Sequence, residues 1–188
     1  MLNDIYKRLT GLIFKPGETW EQFSLQEENQ DRFLWRFIYP LMGLIALSAF
    51  LGILFTRKEF DFEVALKITL RTLISVVGGF FLGAYFLNEV WKSIFNQPKN
   101  IELCRFFVGY SSALLFVMNM ITALLPEFFF LQILVLYTVY IIWEGATGFM
   151  KVAEKERLKF TIIASLIVIV TPFVIEHVLR MLMPGFRI

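Results

Sequence analysis

Cysteine and histidine are nearly missing from this chain: its 188 residues include one of each, Cys104 and His177. A lone cysteine forms no intramolecular disulfide and leaves the redox compartment unmarked. A site of several His or Cys ligands is excluded, so any metal centre would rest on carboxylates. Aspartate is scarce as well. Asp4, Asp31 and Asp61 all lie outside the apolar stretches, which argues against a Ser-His-Asp arrangement within a bilayer. There is no H-E-x-x-H, no phosphate-binding Gly-rich loop and no dinucleotide fingerprint. These absences predict a protein that is not an enzyme and has no cofactor and no metal. The start, Met1 to Phe14, lacks the continuous apolar region of a signal peptide, because Asp4, Lys7 and Arg8 interrupt it.

Charge is thin too, at 18% of residues against roughly 25% in soluble domains. Apolar mass takes its place. Hydrophobic residues make up 57% of the chain, and phenylalanine alone occurs 22 times. A globule of this size leaves much of its surface in water and cannot hide that much apolar material. Lipid is the solvent that suits it.

Five apolar stretches approach the roughly 20 helical residues needed to cross a hydrocarbon core. They run over 37–55, 68–87, 106–125, 128–149 and 160–178. Leu125-Pro126-Glu127 predicts a tight turn between the third and fourth. The expected fold is all-α: a polytopic membrane protein with a bundle of five transmembrane helices, preceded by an interfacial amphipathic helix. Residues 1–36 form the interfacial segment and 37–188 the transmembrane domain.

Lys and Arg set the orientation. One side holds Lys7, Arg8, Lys15, Arg32, Arg36, Lys92, Lys99, Arg105, Lys151, Lys155, Arg157 and Lys159. The other holds Arg57, Lys58, Lys67, Arg71, Arg180 and Arg187. The excess predicts a cytoplasmic amino terminus and a carboxyl terminus outside. Facing the cytoplasmic leaflet, these charges suit anionic lipid better than nucleic acid.

At 100° per residue, Leu2, Ile5, Tyr6, Leu9, Leu12 and Ile13 fall within an arc of roughly 120°. Two readings follow for that face. It lies in the membrane interface, or it docks on the protein's own helices. Trp20, Trp35 and Tyr39 suit the headgroup layer.

Polar side chains at membrane depth face protein or a water-filled cavity. Helical wheels place Arg71, Ser75, Gly79, Gly83 and Glu89 on one face, with Ser75, Gly79 and Gly83 spaced for close helix packing. Arg105, Ser112 and Asn119 form a stripe, and Tyr137, Tyr140, Glu144 and Gly148 share another face. One candidate cluster therefore comprises Asn88, Glu89, Arg105, Asn119, Tyr140 and Glu144 on the cytoplasmic side. A second comprises Lys67, Arg71, Glu127, Glu176, His177 and Arg180 near the outer end. Such groups satisfy one another, line a conduit for an ion, proton or lipid headgroup, or do chemistry; the sequence leaves all three open.

The chain resembles the Yip family, the Rab/Ypt-interacting multi-spanning membrane proteins, and its short bacterial members in particular. The resemblance rests on Pro16-Gly-Glu-Thr-Trp20, on Val108-Gly-Tyr-Ser111, and on Trp143-Glu-Gly-Ala-Thr-Gly with Lys151-Val-Ala-Glu-Lys, in that order among five spans. Eukaryotic members act in vesicle traffic, binding small GTPases and shaping membranes. Here Tyr39-Pro40 lacks the acidic residue and glycine of their first motif, and the long tail is absent. That argues against small GTPase binding and for a bacterial cytoplasmic membrane. The expected role is membrane organisation or partner recruitment; the alternative is a small transporter, channel or lipid scramblase. Expected partners are membrane lipids and a second copy or another membrane protein, with no nucleic acid.

Overall fold

Short polar loops start the helices by capping them. The Asp61 carboxylate accepts from the Val64 amide at 3.1 Å, Asn100 from Leu103 at 2.9 Å, and Asn29 from Asp31 at 2.8 Å. Each satisfies a donor that the first helical turn leaves open. The computed structural model describes residues 2–26, 28–56 and 60–182. Arg57, Lys58 and Arg187 of the charge pattern lie outside them, and so does the side chain of Leu2.

The described residues are helical almost throughout. In order they form α1 (Leu2–Phe14), α2 (Pro16–Leu25), α3 (Gln30–Phe33), a π-helical turn (Leu34–Ile38), α4 (Tyr39–Thr56), α5 (Phe62–Ser93), α6 (Ile101–Ser111) and α7 (Ala113–Leu124). A 3₁₀ helix (Pro126–Leu136), α8 (Tyr137–Gly148) and α9 (Glu154–Leu182) follow. Four helical runs are each long and apolar enough to cross a bilayer, and the bent pair α6–α7 makes a fifth when its two halves are taken as one broken span. The protein is an all-α polytopic membrane bundle. Its helices outrun the apolar windows, because α5 and α9 carry polar turns beyond the hydrocarbon, where backbone bonding still favours helix.

Two corrections concern helix shape. The third span is not straight: it bends by 45° at Ser112, after Gly109 and the Ser111-Ser112 pair, a combination that often marks kinks. The fourth is not one α-helix. Its first 11 residues wind as a 3₁₀ helix with no buried member. Proline opens it, aromatic and β-branched residues are frequent in it, and its packing on the core is limited to partly buried residues such as Leu131 and Val135.

The bundle is solid at one end and hollow at the other. At the amino-terminal end Trp20, Phe33, Phe37, Phe107, Tyr110 and Phe160 are buried in one continuous core. Trp20 stacks on Phe107 at 5.3 Å and sends its indole N–H to the Ile141 carbonyl at 2.9 Å. Gly145 makes room for it: a Cβ there would sit 2.6 Å from the indole. Trp20 is thus a core residue and not a headgroup-layer one, whereas Trp35 and Tyr39 remain exposed.

The same packing decides where α1 goes. Ile5 and Leu12 are buried in the core, Leu9 and Ile13 pack against it, and Tyr6 alone of the described apolar set is exposed. The apolar face docks on the protein itself. Residues 2–26 and 28–36 therefore form a collar that shares its core with the spans.

At the far end, α5 and α9 cross where the sequence is small. A Cβ on Gly79 would meet Pro172 Cγ at 2.6 Å, and the Ser75 hydroxyl donates to the Pro172 carbonyl at 2.7 Å. Gly83 faces Val108 and Ile167. The Ser75, Gly79, Gly83 series packs inside one bundle.

Candidate functional site

The residues singled out on the collar side do not share one cluster. The buried Asn88 carbonyl oxygen accepts from the Asn100 amide at 2.9 Å and so holds the turn before α6. Glu89 pairs with Lys99 of that turn. Arg105 lies over the Phe81 ring, 5.8 Å from its centroid. Glu144 lies 3.7 Å from Arg157, whose guanidinium also covers the Trp143 ring at 4.2 Å. Tyr140 is exposed beside Tyr137. Asn119 sits elsewhere altogether, lining the cavity at the far end, because fourteen residues of helix put it about 21 Å along the span from Arg105. These contacts stabilise loops and helix ends.

The collar is held by a polar group that the spacing rules did not single out. Arg8 grips Glu28 with two parallel hydrogen bonds, 2.7 and 2.9 Å long. The Tyr110 hydroxyl accepts from Arg8 at 2.5 Å and donates to Glu28 at 2.7 Å. Asp4 adds an ion pair at 3.3 Å. Burial alone would lower the Arg8 pKa; the hydrogen bond to Glu28, with the negative charges of Glu28 and Asp4, outweighs it and raises the value above the ordinary one. A paired, bidentate arginine of this kind fixes geometry more surely than a surface salt bridge does. It ties α1, the segment after α2 and the centre of the third span together. The signal lay in Val108-Gly-Tyr-Ser111: a Cβ on Gly109 would meet Phe33 at 2.6 Å, so the tyrosine's neighbour is itself a packing site.

The far end holds the cavity. Its volume is about 410 Å³, and α4, α5, α7, the 3₁₀ helix and α9 enclose it. That volume falls within the roughly 300–1,000 Å³ of small-molecule sites. The polar lining includes Arg71, Ser75, Ser112, Asn119, Gln132 and Glu176; apolar residues such as Phe80 and Phe116 supply most of the rest. From the 3₁₀ helix, Pro126, Phe129, Gln132 and Val135 face inward. They are three apart, and three residues per turn puts them on one side. The opposite side, with Phe130, Ile133 and Leu136, is exposed.

Some of the outer cluster assembles at this cavity. Arg71 and Glu176 line it, 3.7 Å apart, whereas Arg180 is exposed outside the lining and reaches the same Glu176 oxygen at 2.5 Å. Lys67 pairs instead with Glu63, one turn away on its own helix. Glu127 and His177 are exposed, and neither lines the cavity.

No curated protein and no solved structure matches the chain. The family model of the Yip1 domain matches residues 10–175, which take in most of the collar and reach well into the fifth span. By that match the chain belongs to the Yip1 domain family.

Proposed function

We propose that the chain is a non-enzymatic membrane-organising protein whose collar acts as a rigid wedge in the cytoplasmic leaflet of a bacterial inner membrane. The observation behind this reading is the collar's outward side. Tyr6, Phe14, Leu25 and Trp35 are exposed large apolar residues on a segment already pinned by Trp20 and by the Arg8–Glu28–Tyr110 group. Apolar side chains at the boundary between headgroups and acyl chains bury themselves by about 5–10 Å. A helix on a loose tether relieves lateral pressure by leaving; one locked to five spans stays and enlarges a single leaflet. The basic residues around the collar favour anionic lipid and the cytoplasmic face.

The test is remodelling of liposomes containing anionic phospholipid. Reconstituted wild-type protein is expected to tubulate or fragment the vesicles. The triple variant Phe14→Ser, Leu25→Ser, Trp35→Ser is expected to lose that effect and keep its helix content and unfolding midpoint. Equal remodelling by the two proteins would refute the wedge.

A further inference from the structure

The charges in the lining of the far-end cavity cancel. Arg71 and Glu176 supply them, and the two lie 3.7 Å apart as a pair. What the cavity offers a ligand is uncharged polarity set in an apolar wall. Hydroxyls on helices commonly donate to a nearby backbone carbonyl. Two in this lining do so: Thr122 bonds the Met118 carbonyl at 2.8 Å and Ser75 the Pro172 carbonyl at 2.7 Å. Ser112 differs. It lies at the bend of the third span and is only 6% exposed, yet its hydroxyl caps no amide of α7 and bonds no other described residue. Seven residues on, about 10 Å along the axis, the half-buried Asn119 lines the same cavity. Its amide has no hydrogen-bond partner among the described residues either. Leu115 and Phe116 lie between the two, and Val76 and Phe80 of α5 add to the apolar lining. Polar groups withdrawn from water without a partner are costly, so a molecule that bonds them recovers what the fold leaves unmade.

The cavity opens toward hydrocarbon. Its lining includes Phe129 and Gln132 of the 3₁₀ helix and Phe173 of α9, and all three are exposed. The 3₁₀ helix packs mainly on α7 and α8, and α9 mainly on α5 and α8, which leaves a seam between them. Ile133 and Val174, on the same two helices, are exposed as well. Leu131 and Val135 hold the 3₁₀ helix on the core, so passage through the seam needs no movement of that wall.

We infer that this cavity binds the polar end of an uncharged lipid of the diacylglycerol type. Its hydroxyl and ester carbonyls bond Ser112 and Asn119, and its acyl chains leave between the 3₁₀ helix and α9. A volume of about 410 Å³ suits a polar end and the start of its chains. A charged head would be buried beside a pair with no charge to give. The inference does not rest on the wedge reading, because the collar is at the other end of the bundle.

The experiment uses the full chain in lipid nanodiscs and a diacylglycerol carrying a diazirine near the ester of one acyl chain. Labelling is expected on the cavity faces of α5 and α7. Phosphatidylglycerol with the same reactive chain should label them about tenfold less, because its phosphate would lose water without gaining a counter-charge. The double variant Ser112→Ala, Asn119→Leu should lower diacylglycerol labelling by about tenfold, through the loss of two neutral hydrogen bonds. Its unfolding midpoint in lipid-free detergent should match the wild type, since neither side chain bonds another described residue. Equal labelling by the two lipids, or labelling indifferent to the double variant, would reduce the site to ordinary contact with surrounding lipid and overturn the inference. A lower midpoint would overturn it too, by showing that the two side chains serve the fold. So would displacement of the labelled lipid by an equal concentration of free glycerol, which would mark a polar site with no use for the chains.

Discussion

Trp20→Ala is expected to lower the stability of the detergent-solubilised protein by about 3–5 kcal/mol, the range for truncating a fully buried aromatic residue. Trp20 is not reached by solvent at all. Its ring stacks on Phe107, meets Tyr110 edge-on and lies against Gly145 and Gly148. Its N–H bonds the Ile141 carbonyl. Truncation removes the ring that joins the collar to the third and fourth spans and leaves a hole that the rigid helices close incompletely. Trp20→Phe keeps most of the packing and should cost about 1 kcal/mol, near the net worth of one hydrogen bond. Denaturant unfolding followed by circular dichroism separates the two. A tryptophan anchored in the headgroup layer would show a much smaller alanine effect.

Gly52→Ala should be the most damaging single methyl in the spans. A Cβ at Gly52 would stand 1.8 Å from the Ala123 carbonyl oxygen and 2.9 Å from its carbon. The obstacle is backbone, so no rotamer change relieves it, and α4 must move away from α7. Overpacking of this kind costs about 1–3 kcal/mol, and a clash with backbone belongs at the upper end. The same helix supplies its own control. Gly43 has nothing within 4 Å of its would-be Cβ, so Gly43→Ala should be neutral or stabilise by up to about 1 kcal/mol through helix propensity. The measurement is the difference between the two unfolding midpoints.

The membrane-spanning architecture was legible because its cause is local. A window of apolar residues has one solvent available to it, and the polar turns between windows mark the ends. Destinations were not legible. The segregation of Ile5, Leu9 and Leu12 announces an apolar face, but the same face suits lipid or protein. Trp20 looked interfacial because tryptophan often is; its slot is made by Gly145 and Gly148, more than a hundred residues away. Arg105, Ser112 and Asn119 share a stripe, but a stripe is not a cluster: about 21 Å of helix axis separates its ends, so Asn119 lines the cavity while Arg105 lies over Phe81. Glu28 sits in a polar run, and nothing in its spacing from Arg8 or Tyr110 foretells the bond among them. Arg71, Glu176 and Arg180 did come together from the outer set, and the i, i+4 spacing of Glu176 and Arg180 is what sequence could supply of it.

Collar and spans having one core is the property from which the other expectations descend. Fluorescence of a variant whose only tryptophan is Trp20, with Trp35, Trp91 and Trp143 changed to phenylalanine, measures this in vesicles containing brominated lipid. Trp20 emission should be blue-shifted and escape quenching by both brominated lipid and aqueous iodide, while a companion protein retaining only Trp35 should be quenched. Trp20 quenched by brominated lipid as strongly as Trp35 would place its ring against lipid and contradict the shared core.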